Sequence, residues 1–167
     1  MPGSGKTFWA RRLAAALGYN VVDLDAYIVA QYQKSIPQLF AISEQHFRNL
    51  EHEALSQIIT HRNDTVISTG GGAPIYHNNM DLMKQNGCVI YLEVAIAALK
   101  ANIKRRPESR PMLAKLDDNA LQEKLEQLYL ERKEIYQKAH LKVQADNISR
   151  TTFAGLVKTY ISQLNRS

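Results

Sequence analysis

The chain's most specific chemistry stands in its first seven residues, Met1-Pro2-Gly3-Ser4-Gly5-Lys6-Thr7. Two spaced glycines followed by lysine, threonine and an amphipathic stretch match the back of the phosphate-binding pattern G-x-x-x-x-G-K-[ST]. In such a loop Gly3, Ser4 and Gly5 turn backbone N–H groups toward an anion without Cβ clashes, and the following helix adds partial positive charge. Lys6 would reach the β- and γ-phosphates of a nucleotide, and the Thr7 hydroxyl would ligate Mg²⁺. The first glycine of the full pattern falls one position before Met1. The strand that should deliver the chain into the loop is also missing, so Met1 is expected to be an internal methionine with further chain upstream.

A second acidic motif, "VVDLDAYI", puts Asp23 and Asp25 at the end of a strand-like run. Open α/β sheets bind ligands beyond the carboxyl ends of their strands, so both carboxylates should face the phosphate loop. On an extended chain residues i and i+2 share a face, which would let one carboxylate sit near Mg²⁺ and the other meet a substrate hydroxyl. An aspartate at this point is equally a candidate helix N-cap.

These residues need a scaffold, and the pattern around them supplies one. Strand-like runs occur at "NVVDLD", "TVIST", "CVIYLEV" and "LKVQAD", the last alternating as an edge strand would. Helical stretches lie between them. Phe8, Leu13 and Leu17 suggest one apolar face, closed by Gly18 as C-cap. Ser43 and Glu44 open a second helix, and Asp117 and Asp118 begin a long third one with Leu121, Leu125, Leu128 and Ile135 inward. Phe153, Leu156, Val157, Tyr160, Ile161 and Leu164 mark the last. Alternating β and α units predict a parallel sheet with right-handed crossovers. The segment 104–119 is charged, and Pro107 and Pro111 should interrupt any helix there, leaving a mobile surface loop.

At 167 residues the chain fits one domain, residues 1–167, and no apolar run approaches the roughly 20 residues that span a bilayer. A net charge of +5 favours anionic partners. The charge is scattered, with no aromatic stacking platform beside it, which argues against nucleic acid. The single cysteine, Cys88, excludes an internal disulfide framework and suits the cytosol. His46 and His52 are six apart and cannot act as i,i+4 metal ligands. Arg48 lies on a helix with Phe47 and Glu51, where Glu51 either orients it as an i,i+3 pair or faces solvent.

Taken in order, GSGKT, DLD, "SIPQLFAISEQHFRNLE", "TVISTGGGA", "SRPML" and "ERKEIY" resemble the shikimate kinase family over nearly the whole chain. That family is marked by GKS or GKT, a D-x-D, SIxEIF…GExxFRxxE, GGG after the third strand, R-P-L in a lid and R-x-P-L-Y near the end. The resemblance implies an α/β P-loop nucleoside-monophosphate-kinase-like fold in three layers. Its parallel sheet would have order 2-3-1-4-5, with strand 1 largely missing from this chain. It implies transfer of the ATP γ-phosphoryl to the 3-hydroxyl of shikimate, with Mg²⁺, in a cytoplasmic and monomeric enzyme of chorismate biosynthesis. The acceptor-binding region would span about 25–60 and the lid about 104–119.

By the same resemblance, Gly3, Ser4, Gly5, Lys6 and Thr7 bind ATP, and Asp23 holds Mg²⁺ through water. Asp25 binds the shikimate hydroxyls and serves as base or orienter. Arg48 and Arg132 clamp the carboxylate, and Gly70, Gly71 and Gly72 lend backbone contacts, Gly71 most directly. Arg110 swings in with the lid, while Arg105 or Arg106, together with Arg150, flanks the adenine. Met112 replaces the usual lid leucine, Ser43 replaces a glycine, and Arg132 is followed by Lys-Glu-Ile-Tyr in place of x-Pro-Leu-Tyr. A gluconate-type P-loop kinase or a non-catalytic nucleotide-binding relative are the alternatives that the residues leave open.

Overall fold

The structure is a computed structural model that describes residues 1–164, apart from the side chains of Ser109 and Leu164. The phosphate loop runs straight into helix α1 (Lys6–Leu17), whose alanines, leucines and arginines are strong helix formers. Gly5 starts it and Gly18 ends it, both in left-handed backbone, and the Gly18 N–H bonds back to the Ala14 carbonyl. The apolar face of α1 differs from the one expected. Phe8 is 42% exposed, and Trp9 is buried with Ala10, Leu13 and Ala14. Phe8 and Leu13 are five positions apart, about 140° around a helix, whereas Trp9 and Leu13 are one turn apart. Phe8 instead carries the Arg12 guanidinium 3.5 Å from its ring centroid.

Strand β1 (Asn20–Asp23) pairs in parallel with β2 (Thr65–Ser68), in a register that runs from Asn20–Thr65 to Asp23–Ser68. Three helices make the crossover: α2 (Leu24–Tyr32), α3 (Ile36–Ile42) and α4 (Glu44–His61). Each begins on a polar cap: Asp23 for α2, a Ser35–Gln38 capping box for α3, and Ser43 for α4, accepting from His46 N–H at 3.0 Å. Leu24, Ile28, Leu39, Phe47, Leu55 and Ile58 fill the space between these helices and the strands.

After helix α5 (Asn79–Asn86), β3 (Ile90–Glu93) pairs in parallel with β4 (Leu141–Gln144). Helices α6 (Ile96–Arg105), α7 (Pro111–Ala114) and α8 (Asp118–Tyr136) connect them. Leu99, Ile103, Leu121, Leu125, Tyr91 and Tyr136 form the core on this side. The final helix, α9 (Arg150–Leu164), lies against α1 and buries Phe153 and Val157 with Trp9 and Leu13. Leu156, expected on that apolar face, is 47% exposed.

Segment 104–119 is more ordered than its prolines suggest. It forms a 3₁₀ turn at Pro107–Ser109 and then α7, each beginning on proline. A proline at a first helical position loses no intrahelical bond and brings the right φ, so here it starts turns. Lys104 ties the segment down by donating to the Leu116 carbonyl at 2.6 Å.

The two strand pairs match the outer pairs of the expected order. They are not hydrogen-bonded to each other, and the inner edges of β2 and β3 border a cavity of about 610 Å³. Val66, Ile67, Tyr91, Leu92, Trp9 and Phe153 line it.

Candidate active site

The phosphate loop is shaped by contacts that a larger residue would break. Gly3 and Gly5 have φ of 75° and 78°, and a Cβ on Gly3 would lie 2.9 Å from the Leu99 carbonyl oxygen. Asn102 on α6 donates to the Gly3 carbonyl at 3.0 Å and accepts from Arg105 at 2.6 Å. Ser4 is buried, and its hydroxyl donates to the Met1 carbonyl at 2.9 Å. Lys6 donates to that same carbonyl at 2.7 Å and to Ser4 Oγ at 3.3 Å. Burial first, and then the Arg110 charge, lower the Lys6 pKa to about 8, against the pull of Asp25 and Asp23.

Thr7 and Asp23 meet directly: Thr7 Oγ1 donates to Asp23 Oδ2 at 2.8 Å and lies 3.4 Å from Ser68 Oγ. The other oxygen of Asp23 accepts from Ala26 N–H, so the residue both meets Thr7 and caps α2. Among the described residues no group of three or more His, Cys, Asp or Glu is arranged to hold a metal. The oxygen-only set of Thr7, Asp23 and Ser68 beside a phosphate loop still suits Mg²⁺, which keeps most of its shell as water and phosphate.

Asp25 reaches the site differently from the extended-chain reading. The strand ends at Asp23, and Asp25 lies in the first turn of α2. A Cβ on Gly70 would lie 3.4 Å from Asp25 Oδ1 and 3.0 Å from Glu51 Oε1. Burial raises the Asp25 pKa, opposed by Arg110, reinforced by Asp23 and opposed again by Lys6 and Arg48.

Arg48 is buried, and its carboxylate partners settle the choice left open for Glu51. Its Nη1 donates to Glu51 Oε2 at 2.7 Å, and its Nη2 donates to Glu44 Oε1 at 3.1 Å. The guanidinium lies 4.4 Å from the Tyr76 ring centroid, with Phe47 and Phe40 beyond 5 Å. Burial alone would lower the Arg48 pKa, yet Glu51 and Glu44 outweigh it and the guanidinium is held charged more firmly. Glu51 is 1% exposed and leaves Oε1 without a hydrogen-bond partner.

Arg132, late in α8, places Nη1 3.2 Å from where a Cβ on Gly71 would sit, and Tyr136 lies one turn further along. With no proline at 134, α8 continues through Tyr136, which keeps both side chains on one face. The charges of Arg110 and Arg132 are both felt at Lys6, so these cations converge on the loop. Arg105 and Arg106 are exposed at the end of α6, and Arg150 is exposed at the start of α9, close enough to bear on Arg12. Asn102, Ser68, Tyr76, Glu44 and Tyr136 are additions that the sequence reading missed. Glu44, Asn102 and Tyr136 left a local signal, each about one helical turn from a singled-out arginine.

Comparison with known proteins bears on this geometry. The family model for shikimate kinase matches residues 2–164. The chain is 38% identical over 162 residues to a shikimate kinase of Clostridium botulinum (strain Loch Maree), covering 96% of this chain and 92% of that one. Against a shikimate kinase of Parabacteroides distasonis it is 33% identical over 147 residues, covering 87% and 84%. The crystal structure of shikimate kinase from Bacteroides thetaiotaomicron superposes with a TM-score of 0.85 at 29% identity, covering 99% and 94%. The Acinetobacter baumannii shikimate kinase in complex with shikimate gives 0.82 at 29% identity, covering 97% and 89%.

Proposed function

The chain belongs to the shikimate kinase family, and from that premise we propose that it transfers the γ-phosphoryl group of ATP to the 3-hydroxyl of shikimate, giving shikimate 3-phosphate and ADP. The observation that carries the reading is the ring of charge around one point. Lys6, Arg110 and Arg48 all act on Asp25, between the phosphate loop and Gly70.

Phosphoryl transfer asks mainly for positioning and for positive charge around a spreading negative one. Gly3, Ser4, Gly5 and Lys6 hold the phosphates, Lys6 swinging from the Met1 carbonyl to the γ-phosphate. Thr7 and Asp23 would hold Mg²⁺, which would supply positive charge against the phosphates. Arg48 and Arg132 fork the shikimate carboxylate, and the backbone of Gly70, Gly71 and Gly72 meets the ring. Asp25 accepts the proton of the 3-hydroxyl as its oxygen bonds the γ-phosphorus and the bond to the β-phosphate oxygen breaks. A carboxylate whose pKa burial has raised is a stronger base for that step. Arg110 closes with the 104–119 lid over the transferring group, and closure excludes water that would hydrolyse ATP. Arg105 or Arg106, with Arg150, flanks the adenine. Residues 25–60 serve as the acceptor-binding region of one domain, and the family resemblance implies a monomer.

The test is Mg²⁺-dependent ADP release with shikimate, with gluconate and with neither. Release stimulated by shikimate alone supports the reading. Stimulation by gluconate identifies a different sugar-acid kinase, and release that neither acceptor stimulates leaves a nucleotide-binding relative.

A further inference from the structure

The Tyr136 side chain sits where two acceptor-binding elements from opposite parts of the fold come together. Its hydroxyl donates to the Gly71 carbonyl at 2.7 Å, across 65 residues of sequence. Arg132, one turn earlier on α8, is close enough for its charge to bear on the phenol. The position a Cβ would take on Gly71 is 3.2 Å from Arg132 Nη1 and 3.4 Å from the Tyr136 hydroxyl oxygen. Peptide, guanidinium and phenol therefore converge on one place.

The ring is fixed as well. It is buried and stacks on Tyr91, with centroids 5.0 Å apart and planes 29° apart. Burial, the largest influence on its pKa, keeps the phenol protonated and able to donate. Arg132 by itself is a long side chain with several free torsions, and Gly71 lies in a run of three glycines with little side-chain packing of its own.

We propose that Tyr136 is a positioning residue for the acceptor: it sets the separation between the Gly71 peptide and the Arg132 guanidinium, and through them the affinity for the hydroxylated carboxylate substrate. The proposal rests on the functional reading above, in which Gly71 and Arg132 bind shikimate. Its consequence is selective, because among the described residues the hydroxyl of Tyr136 bonds to Gly71 and to no residue of the phosphate loop.

Tyr136→Phe removes the hydroxyl and keeps the stacked ring. A single hydrogen bond of this kind corresponds to about a 3- to 10-fold rise in the KM for shikimate. The KM for ATP and the kcat at saturating shikimate should stay within about twofold of wild type. Calorimetric titration with shikimate, without nucleotide, should show the same loss of affinity. In an Arg132→Ala background the added Tyr136→Phe change should have a smaller effect than it has alone. A KM for shikimate within twofold of wild type, a parallel rise in both KM values, or full additivity with Arg132→Ala overturns the proposal. Failure of the wild-type chain to phosphorylate shikimate overturns the functional reading and this proposal with it. Wild-type turnover with an unmoved Tyr136→Phe variant overturns the proposal alone.

Discussion

A methyl group on residue 72 would occupy space that the Arg48 guanidinium now fills. Gly72 has φ −84° and ψ −26°, a conformation any residue adopts, so Gly72→Ala brings no backbone strain. Its Cβ, however, would lie 2.6 Å from both Nη atoms of Arg48 and 2.8 Å from Cζ. An unstrained contact of this type needs about 3.5 Å, so the guanidinium must retreat by roughly 1 Å. It has little room to do so, held at 2.7 Å by Glu51 and at 3.1 Å by Glu44 with Tyr76 against its face. Disrupting a charged hydrogen bond costs about 1.5–3 kcal/mol, and the buried Glu51 would be left with neither oxygen satisfied. If Arg48 binds the carboxylate from its present seat, the KM for shikimate should rise roughly 10- to 100-fold. The KM for ATP should stay within about twofold. Steady-state kinetics with each substrate varied, run beside thermal melts, separates this from unfolding. A variant that melts like wild type and keeps its KM for shikimate would refute the placement of Arg48 in the acceptor site.

Further expectations use the same assays. Gly155→Ala is the converse case: it lies inside α9 with nothing within 4 Å of the added methyl, so unfolding should cost about 0.5–1 kcal/mol more with kinetics unchanged. A loss of stability there would contradict the helix assignment. Asp25→Asn should lower kcat by about 100-fold or more while ATP still binds with unchanged affinity, and retained turnover would remove Asp25 from the chemistry. Lys6 acts as an ammonium, so its contribution is full below its pKa and is lost as pH rises through it. The kcat/KM for ATP should therefore fall above pH about 8, and a profile flat to pH 10 would contradict the burial that lowers the Lys6 pKa.

What could be read from the sequence was whatever leaves a local trace. The phosphate loop, the Ser43 and Asp117 caps, the Gly18 stop and the inward leucines of α8 all follow from neighbours within about one turn of chain. Partners distant in sequence left no such trace. Ser68 meets Thr7 across 61 residues, and Tyr76 meets Glu44 across 32. The position of Asp25 was misjudged because a short strand turned directly into a helix, and a D-x-D spacing looks the same on either side of that boundary. Phe8 misled because its composition suggests burial while its phase on α1 directs it outward. The prolines of segment 104–119 suggest helix breaks, yet at first positions they act as starters.

The bond from the Tyr136 hydroxyl to the Gly71 carbonyl has a mechanical consequence. Arg48 and Asp25 stand on helices between β1 and β2, whereas Arg132 stands on the helix before β4. A small carboxylate gripped by both arginines would act as a rivet between those helices, alongside that bond. By mass action the acceptor would then stiffen and stabilise the molecule as it occupied the site.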